Sequence, residues 1–330
     1  MEFVASLTRS ASELNTMFNL WQQYGDSRKP FRNVMITPLF MPPSGMRVIR
    51  QWMERGVIEN MYFDSGGFYV QMGRIGYVEL FAQLLSLYTR ERWATWYVLP
   101  DHVPTSSDSA DQTWTKVRDT AEYGKMFYEL LPGDLQNKSI PVIHGFTSEQ
   151  IEYSYQSATQ LETGYLGFGS FSTSGKSASV NKLTAKTHSV LEEIMTFITR
   201  IGMKLHAFGV STPPVLHLLR QLKLFSFDSI GWMKTAGYGK VYMPYIRAYN
   251  ITFRDSSAQT ITPAEFAEMK QITGHECYFC RSFRELHDKR FFRIMHNLAV
   301  MMDMIHTPYS ISHIQQIMER YSPSYVSLAD

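Results

Sequence analysis

The chain is poor in cysteine, in net charge and in long apolar runs. Two cysteines among 330 residues exclude a disulfide-built scaffold. Lys and Arg number 32 against 30 Asp and Glu, a net charge of +2. That excludes a generally adhesive polycation and leaves room for a local basic groove. No uncharged apolar stretch approaches the ~20 residues of a membrane-spanning helix, and mean hydropathy is −0.21, so no membrane partner is expected. The N-terminal segment from Met1 to Asn15 has Glu2 where a secretory leader would be basic, and it lacks an apolar stretch. A cytoplasmic protein is expected on that ground. Internal repeats, low-complexity tracts and a P-loop pattern are also missing. What is present is the composition of a folded α/β protein: 44% hydrophobic, 19% charged and 14% aromatic, which excludes disorder, collagen and coiled coil.

Apolar runs of strand length alternate with segments of helical period. Strands are expected at Val34–Phe40, Met61–Asp64, Ala94–Leu99, Ile140–Ile143, Gly164–Phe168, Lys204–Val210 and Leu224–Ile230. An eighth is Val241–Tyr245 or Tyr249–Phe253. Between them lie helices from Tyr77 to Tyr88, from a cap at Ser107 or Asp108 to about Leu131, after a Thr147/Gln150 cap, from Lys182 to Ile201, and after Thr212-Pro213-Pro214. Gly169–Ser179 reads as a flexible loop. Seven or eight βα units in series imply parallel strands. The (β/α)₈ barrel (TIM barrel) is the simplest closed arrangement, and a doubly wound open sheet is its competitor. No linker is evident, so residues 1–330 are read as a single α/β domain.

In a barrel, chemistry sits at the C-terminal ends of the strands. Asp64, Asp101 and Asp228 all fall there. One such Asp is ordinarily a helix cap, but three directed into one mouth suit a site. Paired carboxylates support glycosyl transfer, or they bind a metal. In Asp64-Ser65-Gly66-Gly67-Phe68 the glycines allow a ligand close to the backbone, and successive amides form an anion-binding nest. The only two cysteines fall in His275-x-Cys277-x-x-Cys280, with His287, His296, His306 and His313 downstream. Two thiolates and two imidazoles make a closed tetrahedral zinc site of the structural kind. Arg281, Arg284, Lys289, Arg290 and Arg293 alternate there with Phe283, Phe291 and Phe292. That mixture suits phosphate neutralisation or a solvated helix face.

Four of these segments resemble motifs of one family, the tRNA-guanine transglycosylases. Tyr62-Phe63-Asp64-Ser65-Gly66-Gly67-Phe68 resembles its DSGGFQ motif, with Tyr69 in place of Gln. Gly164-Tyr165-Leu166-Gly167 resembles its glycine-rich strand at the base pocket, and Phe227-Asp228-Ser229 its FDC motif. His275-x-Cys277-x-x-Cys280 with His296-Asn297-Leu298 resembles its CxCxxC…HNL zinc site. The matches keep the family's order from Asp64 to Leu298.

The resemblance implies a (β/α)₈ barrel with a zinc-binding elaboration at about residues 270–300, Zn²⁺ being held by His275, Cys277, Cys280 and His296. It implies base exchange, with Asp228 as nucleophile and Asp64 as acid/base. Asp101 would read guanine N1–H and N2–H, in a base pocket shared with Ser65, Gly66, Gly67, His144, Gly145 and Gly167. The chain departs from the family where the first zinc Cys is His275, where His144-Gly145 replaces a pocket Gln, and where Gly231-Trp232-Met233-Lys234-Thr235 replaces an Arg-rich segment. No appended RNA-binding domain is read. These departures point to the DNA-modifying branch, which exchanges guanine in DNA for a 7-deazaguanine base such as preQ0. Lys234, Lys240, Arg281 and Arg284 would then bind the nucleic acid around the mouth. A homodimer or partner proteins of a DNA-modification system are expected company. A tRNA enzyme is the alternative, and from another class a non-enzymatic zinc-stabilised nucleic-acid-binding protein.

Overall fold

Nine parallel strand segments run around a barrel in the order β5-β4-β3-β2-β1-β9-β8-β7-β6. They are β1 Glu2–Ser6, β2 Asn33–Ile36, β3 Asn60–Phe63, β4 Trp96–Val98, β5 Ser139–Ile140, β6 Val142–Ile143, β7 Tyr165–Phe168, β8 Lys204–Ala207 and β9 Ser226–Ser229. This computed structural model describes residues 1–171, 184–210, 212–252, 260–306 and 310–326. Most of the loop expected at Gly169–Ser179, the expected helix start at Lys182, and Phe253 lie outside the described residues. Only Pro141 separates β5 from β6. It has no N–H to give the ladder, but its carbonyl accepts from the Gly167 N–H at 2.8 Å. β5 and β6 are thus two halves of one strand, the ends of the strand order meet, and the architecture is the expected (β/α)₈ barrel.

One strand is elsewhere than expected. Glu2–Ser6 closes the barrel, parallel to β2 and β9, with Val4 opposite Asp228. Its three buried residues between polar ends, Phe3-Val4-Ala5, are too short an apolar run to read as a strand. The two segments considered for the eighth strand instead form an antiparallel hairpin outside the barrel, β10 Lys240–Met243 and β11 Ile246–Asn250. β10 packs on the outer helix Arg290–His306, which also lies against β1 and the helices Ala11–Tyr24 and Pro213–Gln221, and β11 packs on Pro213–Gln221 and on the helix Ile311–Tyr321. Smaller shifts have local causes. Pro38 ends β2 in a 3₁₀ turn, Pro38–Phe40. Ser109, in a reciprocal capping box with Gln112, starts the helix Ala110–Leu130. Among the described residues no helix is long and apolar enough to cross a membrane.

Side chains alternate along each strand. Val4, Met35, Tyr62, Val98, Ile140, Val142 and Tyr165 form a cluster inside the barrel. Phe3, Ala5, Val34, Ile36, Met61, Phe63, Leu166, Leu205 and Phe227 face the helices. Phe227 is fully buried, its ring centroid 5.5 Å from that of Phe3 across the β1–β9 pair. Phe227→Ala is expected to lower the unfolding free energy by about 3–5 kcal/mol in urea titrations. A loss below about 1 kcal/mol would show that this pair does not hold the barrel closed.

Candidate active site and metal centre

The inward alternation runs to the strand ends or one step past them and delivers polar groups to the mouth. Ser6 follows from Val4, Thr37 from Met35, Asp64 from Tyr62, His144 from Val142 and Asp228 from Ser226. Asp228 Oδ2 accepts from Ser6 Oγ at 2.5 Å, and Oδ1 from the Gly209 N–H at 2.7 Å and from His206 Nε2 at 3.3 Å. Facing a carboxylate, His206 carries its ring hydrogen on Nε2. Nδ1 then accepts from Ser226 Oγ at 2.6 Å, and Ser226 accepts from the Tyr165 hydroxyl. The chain of donors runs down the barrel axis with each buried group paired.

Asp101 sits at the end of β4, only 7% exposed. Its Oδ1 accepts from Ser65 Oγ at 2.6 Å and its Oδ2 from His144 Nε2 at 2.9 Å. His144 Nδ1 in turn accepts from Ser170 Oγ at 2.9 Å, and Ser170 Oγ accepts from the Gly145 N–H at 2.9 Å. The Asp64-Ser65-Gly66-Gly67 turn departs from the nest that its glycines suggest. The Gly67 amide donates to Ser65 Oγ at 3.2 Å. A Cβ on Gly67 would stand 2.4 Å from Asp101 Oδ1, so glycine is required there for the Ser65–Asp101 contact. Gly66 has φ +86°, the left-handed conformation that starts the next helix. Gly167 leaves room for Phe208, whose ring would be 2.2 Å from an added Cβ. That half-buried ring, tilted on His206 at 4.6 Å, forms an aromatic wall beside Asp228.

Asp64 accepts from Thr37 Oγ1 at 2.8 Å. Burial, and then the neighbouring Asp101 carboxylate, push it up to about 7. Asp228 adds to the rise, while Thr37 and the Gly66 amide hold it back. Asp64 therefore keeps its proton to a higher pH than an ordinary carboxyl, beside a carboxylate that accepts three hydrogen bonds.

The predicted basic residues do not share one place. Lys234 stands at the mouth, over Phe68. Lys240 opens β10 outside the barrel. Arg281 lies over Tyr278, which stacks on Tyr24 at 4.4 Å. Tyr24 ends the helix that leads away from the mouth, so Arg281 is on the outer wall. Arg284, on the same outer segment, pairs with Asp288 at 3.6 Å. The structure does not bring Arg281 and Arg284 to the mouth.

The other predicted group is assembled. Ligand atoms of His275, Cys277, Cys280 and His296 all lie within 4.8 Å of one another, and all four residues are buried. His296 Nε2 donates to the Tyr242 carbonyl at 2.8 Å, which leaves Nδ1, 3.5 Å from Cys277 Sγ, free as a ligand. His275 Nδ1 donates to Asp303 Oδ2 at 2.5 Å, and its buried Nε2 has no hydrogen-bond partner. A buried nitrogen without a partner is costly unless it ligates, and a carboxylate behind the imidazole is the usual outer shell of a metal site. Asp303 is in turn paired with Arg28. Cys280 is held well below the usual thiol range, first by its hydrogen bond with Cys277 and also by His275 and His296. These four residues can hold a metal ion. His287, turned to Asp288 at 2.7 Å, and His313, turned to the Ile272 carbonyl at 2.8 Å, take no part.

The sequence reading missed His206, Ser6, Thr37, Phe208 and Asp303. A signal existed for His206 and Ser226, polar residues two apart from inward positions in otherwise apolar strands. None existed for Asp303. No protein-family model matches the chain, and a search of curated proteins finds no match.

Elemental analysis of the purified chain is expected to give about one metal ion per chain. Asp303→Asn should weaken metal affinity by about 10–100-fold in chelator competition. A metal-free chain with unchanged thermal stability would rule the centre out. Asp64 gives a second test. Its raised pKa means that the folded chain binds a proton the unfolded chain lacks between about pH 4 and pH 7, so its share of stability is intact below that window and lost as pH rises through it. Asp64→Asn should therefore raise Tm at about pH 8 and leave it nearly unchanged at about pH 4. Equal shifts at both would refute the raised pKa.

Proposed function

We propose that the protein is a base-exchange transglycosylase that replaces guanine in DNA with a 7-deazaguanine base, with a structural zinc at His275, Cys277, Cys280 and His296. The observation that carries this reading is one mouth holding three carboxylates in different states. Asp228 is fixed by three donors, Asp64 is proton-bearing near neutrality, and Asp101 is oriented by Ser65 and His144. The resemblance of the Asp64 and Asp228 segments to the transglycosylase motifs supplies the reaction. The N₂S₂ donor set, closed and buried, favours zinc in a structural role.

The chemistry follows from those positions. Asp228 attacks the sugar C1′ from the face opposite the base. The C1′–N9 bond breaks, and the departing guanine takes a proton from Asp64. An ester between Asp228 and the sugar remains. The incoming 7-deazaguanine gives its N9 proton to Asp64 and attacks C1′, which releases Asp228. Two inversions give net retention. Asp101 accepts from guanine N1–H and N2–H with the lone pairs that Ser65 and His144 leave free. Phe208 offers a flat wall for the base. A guanine in a duplex must be flipped out to reach these groups. DNA is favoured over tRNA because Trp232 and Met233, where the resembled family is Arg-rich, are core residues here.

Asp228→Asn should lower exchange of labelled guanine by at least about a thousandfold and abolish the trapped covalent adduct, with the fold intact by circular dichroism. Near-normal turnover would remove Asp228 as nucleophile. Incorporation into tRNA alone, in matched assays with a 7-deazaguanine acceptor, would overturn the choice of DNA.

A further inference from the structure

The segments that follow β1, β3 and β9 bring two cations and an aromatic ring together at the mouth. Arg9 lies three residues past Ser6, and its Nε donates to Met233 Sδ at 3.1 Å. Lys234, the next residue after Met233, has its Nζ 5.8 Å from the centroid of Phe68. Phe68 is 40% exposed, a large apolar ring left open beside the site. Both cations are half-buried.

Two other half-buried cations are matched by carboxylates. Arg28 pairs with Asp26 and Asp303, and Lys116 with Asp108. Among the described residues, neither Arg9 nor Lys234 has a carboxylate within 4.0 Å. Burial, and then the charge of Arg9, press the Lys234 ammonium below its usual range. Two like charges partly stripped of water raise the energy of the empty mouth and lower it once an anion sits between them. The acids beneath do not serve as that anion. Asp228 is taken up by Ser6, His206 and Gly209, and Asp101 by Ser65 and His144.

We propose that Arg9 and Lys234, with the Phe68 ring as a wall, form a phosphate-binding site that holds the backbone of the strand whose sugar faces Asp228. A phosphodiester fits the two cations, and the open ring gives a flanking base or sugar a stacking surface. The assignment of the anion to a strand rests on the base-exchange reading; the anion site itself rests on the geometry. Arg9 holds the backbone on the side of β1, whose Ser6 holds the nucleophile, so one short loop aligns both reacting partners.

The test is binding of a fluorescent single-stranded oligodeoxynucleotide by anisotropy across a salt series. Arg9→Gln and Lys234→Gln should each weaken binding about tenfold near 0.1 M salt and flatten the log–log salt slope by about 0.7. Lys234→Arg should restore the slope. Lys289→Gln, which removes a cation paired with Glu285 on the outer wall, should change neither. Unchanged affinity and slope in folded Arg9→Gln and Lys234→Gln proteins would overturn the proposal. Inorganic phosphate at low millimolar concentration should not displace the strand; displacement would assign the site to a small free anion and overturn the strand. Exchange assays run in parallel separate the two readings. Cation-dependent binding without exchange in the wild type overturns base exchange alone. Exchange with unaltered binding in the variants overturns the phosphate site alone.

Discussion

A closed parallel barrel admits a side chain to its interior only at every second residue of each strand, and the site depends on that rule. Once β1 and β9 are paired with Val4 opposite Asp228, the residue two beyond Val4 is brought to the Asp228 carboxylate. The same step of two carries Tyr62 to Asp64 and Val142 to His144. The interior of the barrel cannot hydrate what it encloses, so its polar residues must satisfy one another. Tyr165, Ser226 and His206 do so in a line that ends on Asp228. The hydrogen-bonding that fixes Asp228 is thus also what makes a polar barrel core tolerable.

The same proximity differentiates the acids. Asp64, Asp101 and Asp228 are chemically identical and close in space, and their neighbours separate them. Asp228 meets donors on both oxygens, and so does Asp101. Asp64 has Thr37 and one amide, and it bears the repulsion of the other two. Close carboxylates cannot all ionise without cost in a buried site, and burial with the repulsion of Asp101 and Asp228 raises Asp64.

Much of this was legible in the chain. Asp64, Asp101 and Asp228 each end an apolar run before a turn, a pattern that locates strand ends without coordinates. The metal group was legible because cysteine is so rare that two residues three apart stand out. What stayed hidden was of two kinds. β1 is short and ends in Glu2 and Ser6, so its apolar pattern is too brief to register, and with it Ser6 and Arg9 were lost. Contacts between distant segments carry no local mark: Arg28 meets Asp303 across 275 residues, and nothing near either predicts the other. The misplacement of Arg281 and Arg284 has the same origin, since a basic run says nothing about which end of a barrel it faces.

The pairing of β1 with β9, distant in the chain, has a consequence for synthesis. Ser6 and Asp228 are 222 residues apart, so β1 must wait for β9. At about 5–20 residues per second that wait is roughly 10–45 s. Through it, β2 lacks one neighbour, and the apolar outer face of β1 lacks the helix Arg290–His306 that covers it. Closure by such remote contacts is slow as well as late. The nascent protein therefore spends its most aggregation-prone interval as an open sheet, and the hydrogen bonds around Asp228 are assembled only by the event that ends that interval.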